Sequence, residues 1–505
     1  MKMLKLLVWL ILLITGFVGN FSPAIAEKAD YQEIDQYIKE QMKEQSIVGL
    51  SYVIVKEDKI VQSNAFGNAN LKNKLTPKTP MRIGSLSKSF TALAIMQLVE
   101  KSEIDLQAPV TTYIPWFQLK NNKESSKITI IQLLNQISGI PGDADMKLGN
   151  DLKGKSIEET VKLLNNVDLS HPIGMEFEYS NFNYVTLGLI VEKVSGETLG
   201  QYIDQHILKP LKMENSYTSV KEAEKHGLSK GFSSWFGGHY PAKTFMDDLP
   251  NFLASGYMVT SAEDLGKYMI AFMNGSTILS AEGFKQLQTP SATSKMMMNG
   301  EYYGNYAMGW FSRDVQGIDV IGHAGDLPSV AQSDMYILPE TKEAIVILSN
   351  TNNNYAPGSS HMITDGVVSL LAGKEPIRKN NQKAFQHFYM IVDGVIIVLI
   401  LLMVLSSLHL KNWKLKLIKS NSFVRMMKIG VMILQLVLPA IFSMAVPKWL
   451  HLPKWGIISA VQPDIIITIE VVLFMIFLMG VGKLFLLKWQ SIKKIKQLKE
   501  MDTGR

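Results

Sequence analysis

The chain has 505 residues, too long for one ordinary core, so at least two structural regions are expected. It contains no cysteine, which excludes a disulfide framework, a thiolate nucleophile and a Cys-ligated metal. The formal charge of +6 is unevenly spread: from Tyr389 onward 15 Lys and Arg face 5 Asp and Glu, and the stretch from Glu27 to His387 carries −6. The basic excess belongs to the flanks of apolar runs, so nucleic-acid binding gains no support from it.

Lys2 and Lys5 precede an apolar run from Leu6 to Val18, and Ser22-Pro23-Ala24-Ile25-Ala26 follows. This pattern predicts a signal peptide over 1–26, cleaved after Ala26, with an uncleaved anchor helix as the alternative. Either form exports the next region. A helix is expected from Asp30, with Glu33 as its capping partner and Tyr31, Ile34 and Ile38 on one face. Two strand-like runs, Leu50–Val55 and Lys59–Phe66, join at Glu57-Asp58 and predict an antiparallel hairpin. A long, mostly helical section begins near Ser85. Strands return at Ala307–Ser312, Ile318–Gly322, Ala331–Leu338 and Ala344–Ser349, and a helix over 360–371 closes the region. Strands and helices from both ends predict an α+β domain over 27–373: one antiparallel sheet with terminal helices, plus a helical lobe.

Residues 374–388, with Pro376 and Asn380-Asn381-Gln382, read as a linker. Apolar runs at about 389–408, 429–446 and 465–487 predict three transmembrane helices, so 389–487 is the membrane region and 488–505 a basic tail. Six basic residues lie between the first two runs and six more in the tail, against Lys448 and Lys454 between the last two. The positive-inside rule puts the two larger groups in the cytoplasm. Asp393 and Glu470, near the ends of their runs, read as snorkelling carboxylates or as a shifted run boundary, ahead of the alternative of a proton or ion path.

Three short motifs carry the chemistry. Ser85-Leu86-Ser87-Lys88 follows Gly84 and opens an apolar run from Phe90 to Val99, which places Ser85 at the start of a buried helix. Residues three apart share a helix face, so the Lys88 amine reaches the Ser85 hydroxyl. A serine alcohol becomes a good nucleophile when a neighbour takes its proton, and burial lowers a lysine pKa enough for that work. Ser491-Ile492-Lys493-Lys494 has the same spacing but reads as a basic membrane flank. Tyr179-Ser180-Asn181 supplies a phenol and an amide; a tyrosine near a protonated lysine is expected to shift toward phenolate and relay a proton. Tyr303-Gly304-Asn305 repeats that spacing by chance. His323-Ala324-Gly325 follows the strand ending at Gly322, and the N–H of Asp326 is expected to pair with that of Ser85 as an oxyanion hole. His226 and His239 lack ligand spacing; no metal or other cofactor is expected.

Arg82 to Ala92, with Ser85 and Lys88 at its centre, resembles the nucleophile segment of class C β-lactamases and low-molecular-mass penicillin-binding proteins. The segments 133–141, 179–184 and 322–325 extend the resemblance, which spans about Tyr31 to Leu371. With its C-terminal membrane part, the chain looks most like the FmtA-like proteins of Gram-positive bacteria. The resemblance implies a β-lactamase/transpeptidase-like fold. It makes Ser85 the acylated nucleophile, Lys88 and Tyr179 the proton carriers, Asn181 a substrate-positioning group and His323 a cleft residue, with Ser85, Gly325 and Asp326 lining the oxyanion and substrate site. Two departures stand out. His323 occupies a position where β-lactamases usually carry Lys, and Gln136-Ile137-Ser138-Gly139 replaces the common His-Thr-Ser-Gly. Histidine titrates near neutrality, so a pH response in the ordinary range of His323 is expected, flattened in His323→Lys.

The leading expectation is a multi-pass membrane protein whose external domain is a serine hydrolase. It would cleave D-alanyl peptide bonds of peptidoglycan stem peptides, or D-alanyl esters of teichoic acid, with β-lactams as further ligands. The alternatives are a class C-type β-lactamase, and a receptor or interaction protein that keeps the fold without turnover.

Overall fold

The computed structural model describes residues 31–449 and 463–502, apart from 121–122, 236–237, 243–248, 292, 299–300, 329, 353–359 and 379–381. The signal-peptide segment lies outside the described residues. Helix α1 (Tyr31–Glu44) leads into the hairpin β1 (Gly49–Lys56) and β2 (Lys59–Gly67), with Glu57 of the join at φ +54°. Helix α2 (Ser87–Glu100) follows the turn Gly84–Leu86. Short helix α3 (Ala144–Leu148), α4 (Asn181–Ser195) and α5 (Ala262–Asn274) belong to the helical section. The late strands are β3 (Lys295–Met298), β4 (Glu301–Tyr306), β5 (Phe311–Asp314), β6 (Asp319–Leu327), β7 (Ala331–Leu338) and β8 (Glu343–Ser349), and α6 (Ser360–Leu371) closes the domain.

The eight strands form one sheet in the order β2-β1-β8-β7-β6-β5-β4-β3, with antiparallel neighbours throughout. β1 bonds β8 with Val53 opposite Val346, so the first and last strands of the domain meet at its centre. Both faces of β1 are buried. Tyr52 and Ile54 pack with Ile34, Ile38, Ile363 and Val367 of the terminal helices, while Val53 and Val55 pack with Phe90, Leu93 and Leu265 of the helical lobe. This explains why β1 and β8 read as nearly continuous apolar runs; β7 is equally buried but carries Gln332, Ser333 and Asp334 in its first half. Gly366 lets α6 lie against α1, because a Cβ there would collide with the Tyr37 phenol.

Two expectations are corrected. The stretch before Ala307 was expected to stay mostly helical, yet β3 and β4 form a hairpin at the sheet edge. Its Met296-Met297-Met298 run has no clean two-residue alternation to mark a strand. The strand expected to end at Gly322 runs on to Leu327, so the third motif lies within β6 and not after it. β5 bonds β6 only from Asp319 to Gly322, which leaves His323–Leu327 paired with β7 alone.

Helices α7 (Gln382–Ile418), α8 (Ser422–Trp449) and α9 (Pro463–Asp502) contain three stretches long and apolar enough to cross a membrane: His387–Leu405, Ser422–Ala445 and Ile466–Leu487. α7 begins inside the segment expected as linker, and α9 continues through the basic tail to Asp502.

Candidate active site

From Met81 to Leu98 every side chain is buried except that of Ser85, which is half-exposed. The turn that presents it is held on several sides. Ser87 Oγ donates to the Gly84 carbonyl at 2.7 Å and accepts from the Met258 N–H at 3.1 Å, and Ser333 Oγ donates to the Ile83 carbonyl at 2.7 Å. Gly84 has φ +52°, and a Cβ there would fall 3.0 Å from the Asp326 nitrogen, so both conformation and space call for glycine.

Lys88 is fully buried on α2, one turn from Ser85. Its Nζ lies 3.3 Å from Ser85 Oγ, 2.8 Å from Asn181 Oδ1 and 2.7 Å from the Ser255 carbonyl oxygen. Burial holds its pKa well below the ordinary lysine value; the Asp145 charge acts against this but is the smaller effect. Nζ also sits 4.6 Å from the centroid of the Tyr179 ring.

Tyr179 hydrogen-bonds Ser85, and burial pushes its pKa well above the usual phenol value, with Tyr306 adding to the rise. This corrects the phenolate expectation. Burial disfavours the charged form of both groups, the Tyr179 phenolate and the Lys88 ammonium alike. Asn181 begins α4, and its Nδ2 donates to Asp145 Oδ2 at 2.9 Å. Asp145 can only accept, so it fixes the amide orientation and keeps Oδ1 toward Lys88. Gln136 sits at φ +60°, a strained position for a residue with a side chain. Its Oε1 accepts from the Ser180 N–H at 3.0 Å and from Asn183 Nδ2, while its carbonyl accepts from the Glu178 N–H at 2.9 Å. The segment that departs from His-Thr-Ser-Gly therefore holds the Tyr179–Asn181 loop in place.

His323 is 3% exposed, with Tyr179, Tyr306 and Phe311 rings around it. Its Nδ1 is 2.6 Å from the Ala324 carbonyl oxygen, so Nδ1 carries the proton and Nε2 is the free acceptor, 3.4 Å from the Tyr306 hydroxyl. Burial, with the nearby Lys88, lowers its pKa to about 3. The expected pH response near neutrality is thereby corrected: the imidazole stays neutral there. The unfolded chain protonates near pH ~6.5, so this group's stabilising contribution is complete above that pH and is lost as pH falls toward about 3. By pH 5 the loss amounts to roughly 2 kcal/mol. His323→Gln should be less acid-sensitive than wild type between pH 6.5 and 4 in urea titrations; identical slopes would contradict the neutral assignment.

Gly325 brings β6 against the nucleophile turn. A Cβ there would collide with the Ile83 carbonyl oxygen and Ser333 Oγ and lie 3.1 Å from the Ser85 nitrogen. The Ser85 and Asp326 backbone nitrogens thus flank one contact between the turn and the strand.

The seven residues expected at the site, Ser85, Lys88, Tyr179, Asn181, His323, Gly325 and Asp326, converge here from the nucleophile turn and α2, the loop leading into α4, and β6. Sequence reasoning missed Asp145, Ser255 and Tyr306. Only Tyr306 had a nearby signal, the Tyr303-Gly304-Asn305 repeat read as chance. Among the described residues, no group of three or more His, Asp or Glu is arranged to hold a metal.

Comparison with known proteins agrees with this layout. The family model described as "Beta-lactamase" matches residues 34–362. Protein flp of Staphylococcus aureus strain MW2 is 30% identical over 392 residues, covering 76% of this chain and 75% of flp. The octameric penicillin-binding protein homologue from Pyrococcus abyssi superposes with a TM-score of 0.60 at 30% identity, over 69% of this chain and 78% of that one. FmtA from Staphylococcus aureus superposes with a TM-score of 0.55 at 20% identity, over 69% and 91% respectively, a likeness of fold. A match across that length, spanning both ends of the sheet and every segment of the site, means that the chain belongs to the beta-lactamase family.

Proposed function

We propose that this protein is a membrane-anchored serine hydrolase whose domain faces the cell envelope and whose Ser85 is acylated during turnover. The observation that carries the reading is the surroundings of Lys88 Nζ. Two of its three partners, the Asn181 amide oxygen and the Ser255 carbonyl, can only accept. With three N–H groups the amine would donate to all three; in the neutral form that burial favours, two N–H groups serve the acceptors and the lone pair is left to take the proton of the Ser85 hydroxyl at 3.3 Å.

In this reading Lys88 takes the Ser85 proton as Oγ attacks the substrate carbonyl. The N–H groups of Ser85 and Asp326 hold the oxyanion. Tyr179, still a phenol, gives a proton to the leaving oxygen and regains one from Lys88. Water then attacks the ester by the same path reversed, releasing the acid and free Ser85. The two groups have pKa values pushed apart from their ordinary ones, which suits one as base and the other as acid.

D-alanyl esters suit the cleft better than D-Ala–D-Ala peptides or β-lactams. The latter two present a carboxylate, and a neutral His323 offers it no charge. A D-alanyl ester presents a free ammonium, and Asp145 sets a carboxylate beside Asn181. The domain's charge of −6 gives no attraction to an anionic polymer, so recognition falls on the D-alanyl group itself. A D-alanyl glycerol-phosphate ester, a D-Ala–D-Ala peptide and a chromogenic cephalosporin should be offered in parallel to the full chain in detergent. The ester should lead in kcat/KM by roughly tenfold or more, the worth of one charge contact. A faster peptide or cephalosporin would overturn the ester assignment, and full cellular function of Ser85→Ala would favour a receptor role.

A further inference from the structure

We infer that His361, on the first turn of α6, is a positioning residue that clamps the oxyanion end of β6 by bridging the carboxylates of Asp326 and Asp334. This rests on the proposed function, in which the Asp326 N–H is an oxyanion donor.

His361 Nδ1 is 2.7 Å from Asp334 Oδ1 on β7, and its Nε2 is 3.1 Å from Asp326 Oδ2 on β6. Carboxylates only accept, so an imidazole with one at each nitrogen carries both protons and is a cation. The flanking carboxylates raise its pKa well above the ordinary value against the effect of burial. Asp334 is fully buried and also accepts from Thr364 Oγ1 at 2.6 Å and Tyr336 Oη at 3.3 Å. Asp326 Oδ1 accepts from Gln332 Nε2 at 3.0 Å and Asn352 Nδ2 at 3.2 Å. Gln332 in turn accepts from the Ser360 N–H at 2.8 Å, where α6 begins. The buried Asp334 is thus the fixed end of the device, and Asp326 is the end it steadies.

The need for such a device follows from the sheet. β6 loses its β5 partner after Gly322, so the segment carrying Gly325 and Asp326 is held by β7 on one edge only. Its other restraint is the contact of Gly325 with the nucleophile turn. His361 ties the Asp326 side chain to the helix layer behind the sheet, while the Asp326 N–H is presented on the backbone toward the site. Loss of one imidazole proton would turn a lone pair toward a carboxylate. That contact is repulsive, and Asp326, 42% exposed in its side chain, is the more exposed of the two carboxylates that would have to adjust.

Among the described residues, the titratable and charged groups around His361 are Asp326 on β6, Asp334 and Tyr336 on β7, and Asp365 on its own helix. Arg313 on β5 pairs with Asp365, and Tyr303 on β4 senses all three carboxylates. Arg313 holds its proton throughout, and burial raises both tyrosines above their usual range. His361 is therefore the group in this cluster that loses a proton first as pH rises. Turnover should fall along an alkaline limb set by His361.

The test uses the full chain in detergent and the D-alanyl ester, with Ser85→Ala as blank. His361→Gln cannot span both carboxylates. It should lower kcat by roughly tenfold to a hundredfold, the scale of a misplaced catalytic group, with KM little changed and the alkaline limb gone. Asp326→Asn keeps the backbone N–H but removes one carboxylate, so its alkaline limb should move to lower pH; this variant serves also if His361→Gln folds poorly. Wild-type protein without Ser85-dependent turnover would defeat the proposed function and this inference with it. With turnover intact, wild-type kcat and an unmoved limb in both variants would defeat the clamp alone.

Discussion

Lys88→Met should lower kcat by roughly a thousandfold or more, the range of a lost general base, while the domain stays folded. Methionine matches the length of the lysine stem and fills the same fully buried site on α2. Its loss of chemistry is complete, because no other base touches Ser85 Oγ among the contacts described. Stability has two opposing changes. The Asn181 amide oxygen and the Ser255 carbonyl each lose a donor, at about 1–3 kcal/mol apiece. Against this, the folded protein no longer has to keep a lysine neutral below its ordinary pKa, a cost that grows as pH falls. Lys88→Arg should fail as well, since guanidinium keeps its proton and cannot act as base. The check is kcat on the D-alanyl ester beside thermal melts of both variants. A Met variant with near wild-type turnover would remove Lys88 from the mechanism.

Gly325→Ala should cost about 1–3 kcal/mol of stability from overpacking, and acylation should slow by roughly a hundredfold or more, as when an oxyanion donor is lost. The added methyl meets the Ile83 carbonyl oxygen and Ser333 Oγ, neither of which can yield cheaply. Ile83 leads directly into the nucleophile turn, and Ser333 holds that turn by its 2.7 Å bond. Relief of the clash must therefore separate β6 from Ser85, which widens the oxyanion site. Pre-steady-state burst amplitude and rate on an activated ester measure this step. A folded Gly325→Ala protein with an unchanged burst rate would show that the contact is packing only.

Much of this site was readable before any coordinates. Ser85 lies in the turn that runs into the helix bearing Lys88, so their spacing and the apolar run after them imply both proximity and burial. The sheet was readable from its two ends, because β1 and β8 are apolar on both faces and β7 is apolar from Met335 to Leu338. What stayed hidden depends on contacts between distant elements. The neutrality of His323 arises from rings on three separate segments, Tyr179, Tyr306 and Phe311. Asp145 reaches Asn181 from short helix α3, which shows no motif of its own. Gln136 replaces a familiar residue, and only its hydrogen bonds to Ser180 and Asn183 reveal what it supports. The β3–β4 hairpin escaped because its side chains do not alternate, although Tyr306 at its end touches His323.

The buried amine beside a half-exposed serine favours the proposed enzyme over a protein that only binds, since binding alone has no need for a desolvated lysine there. The most direct measurement is the intact mass of the full chain after rapid quench with a D-alanyl ester, followed by peptide mapping. The account predicts a D-alanyl adduct on the peptide containing Ser85 in wild type, and none in Ser85→Ala or Lys88→Met. Turnover without an adduct at Ser85, or an adduct that survives in Lys88→Met at the wild-type rate, would contradict it.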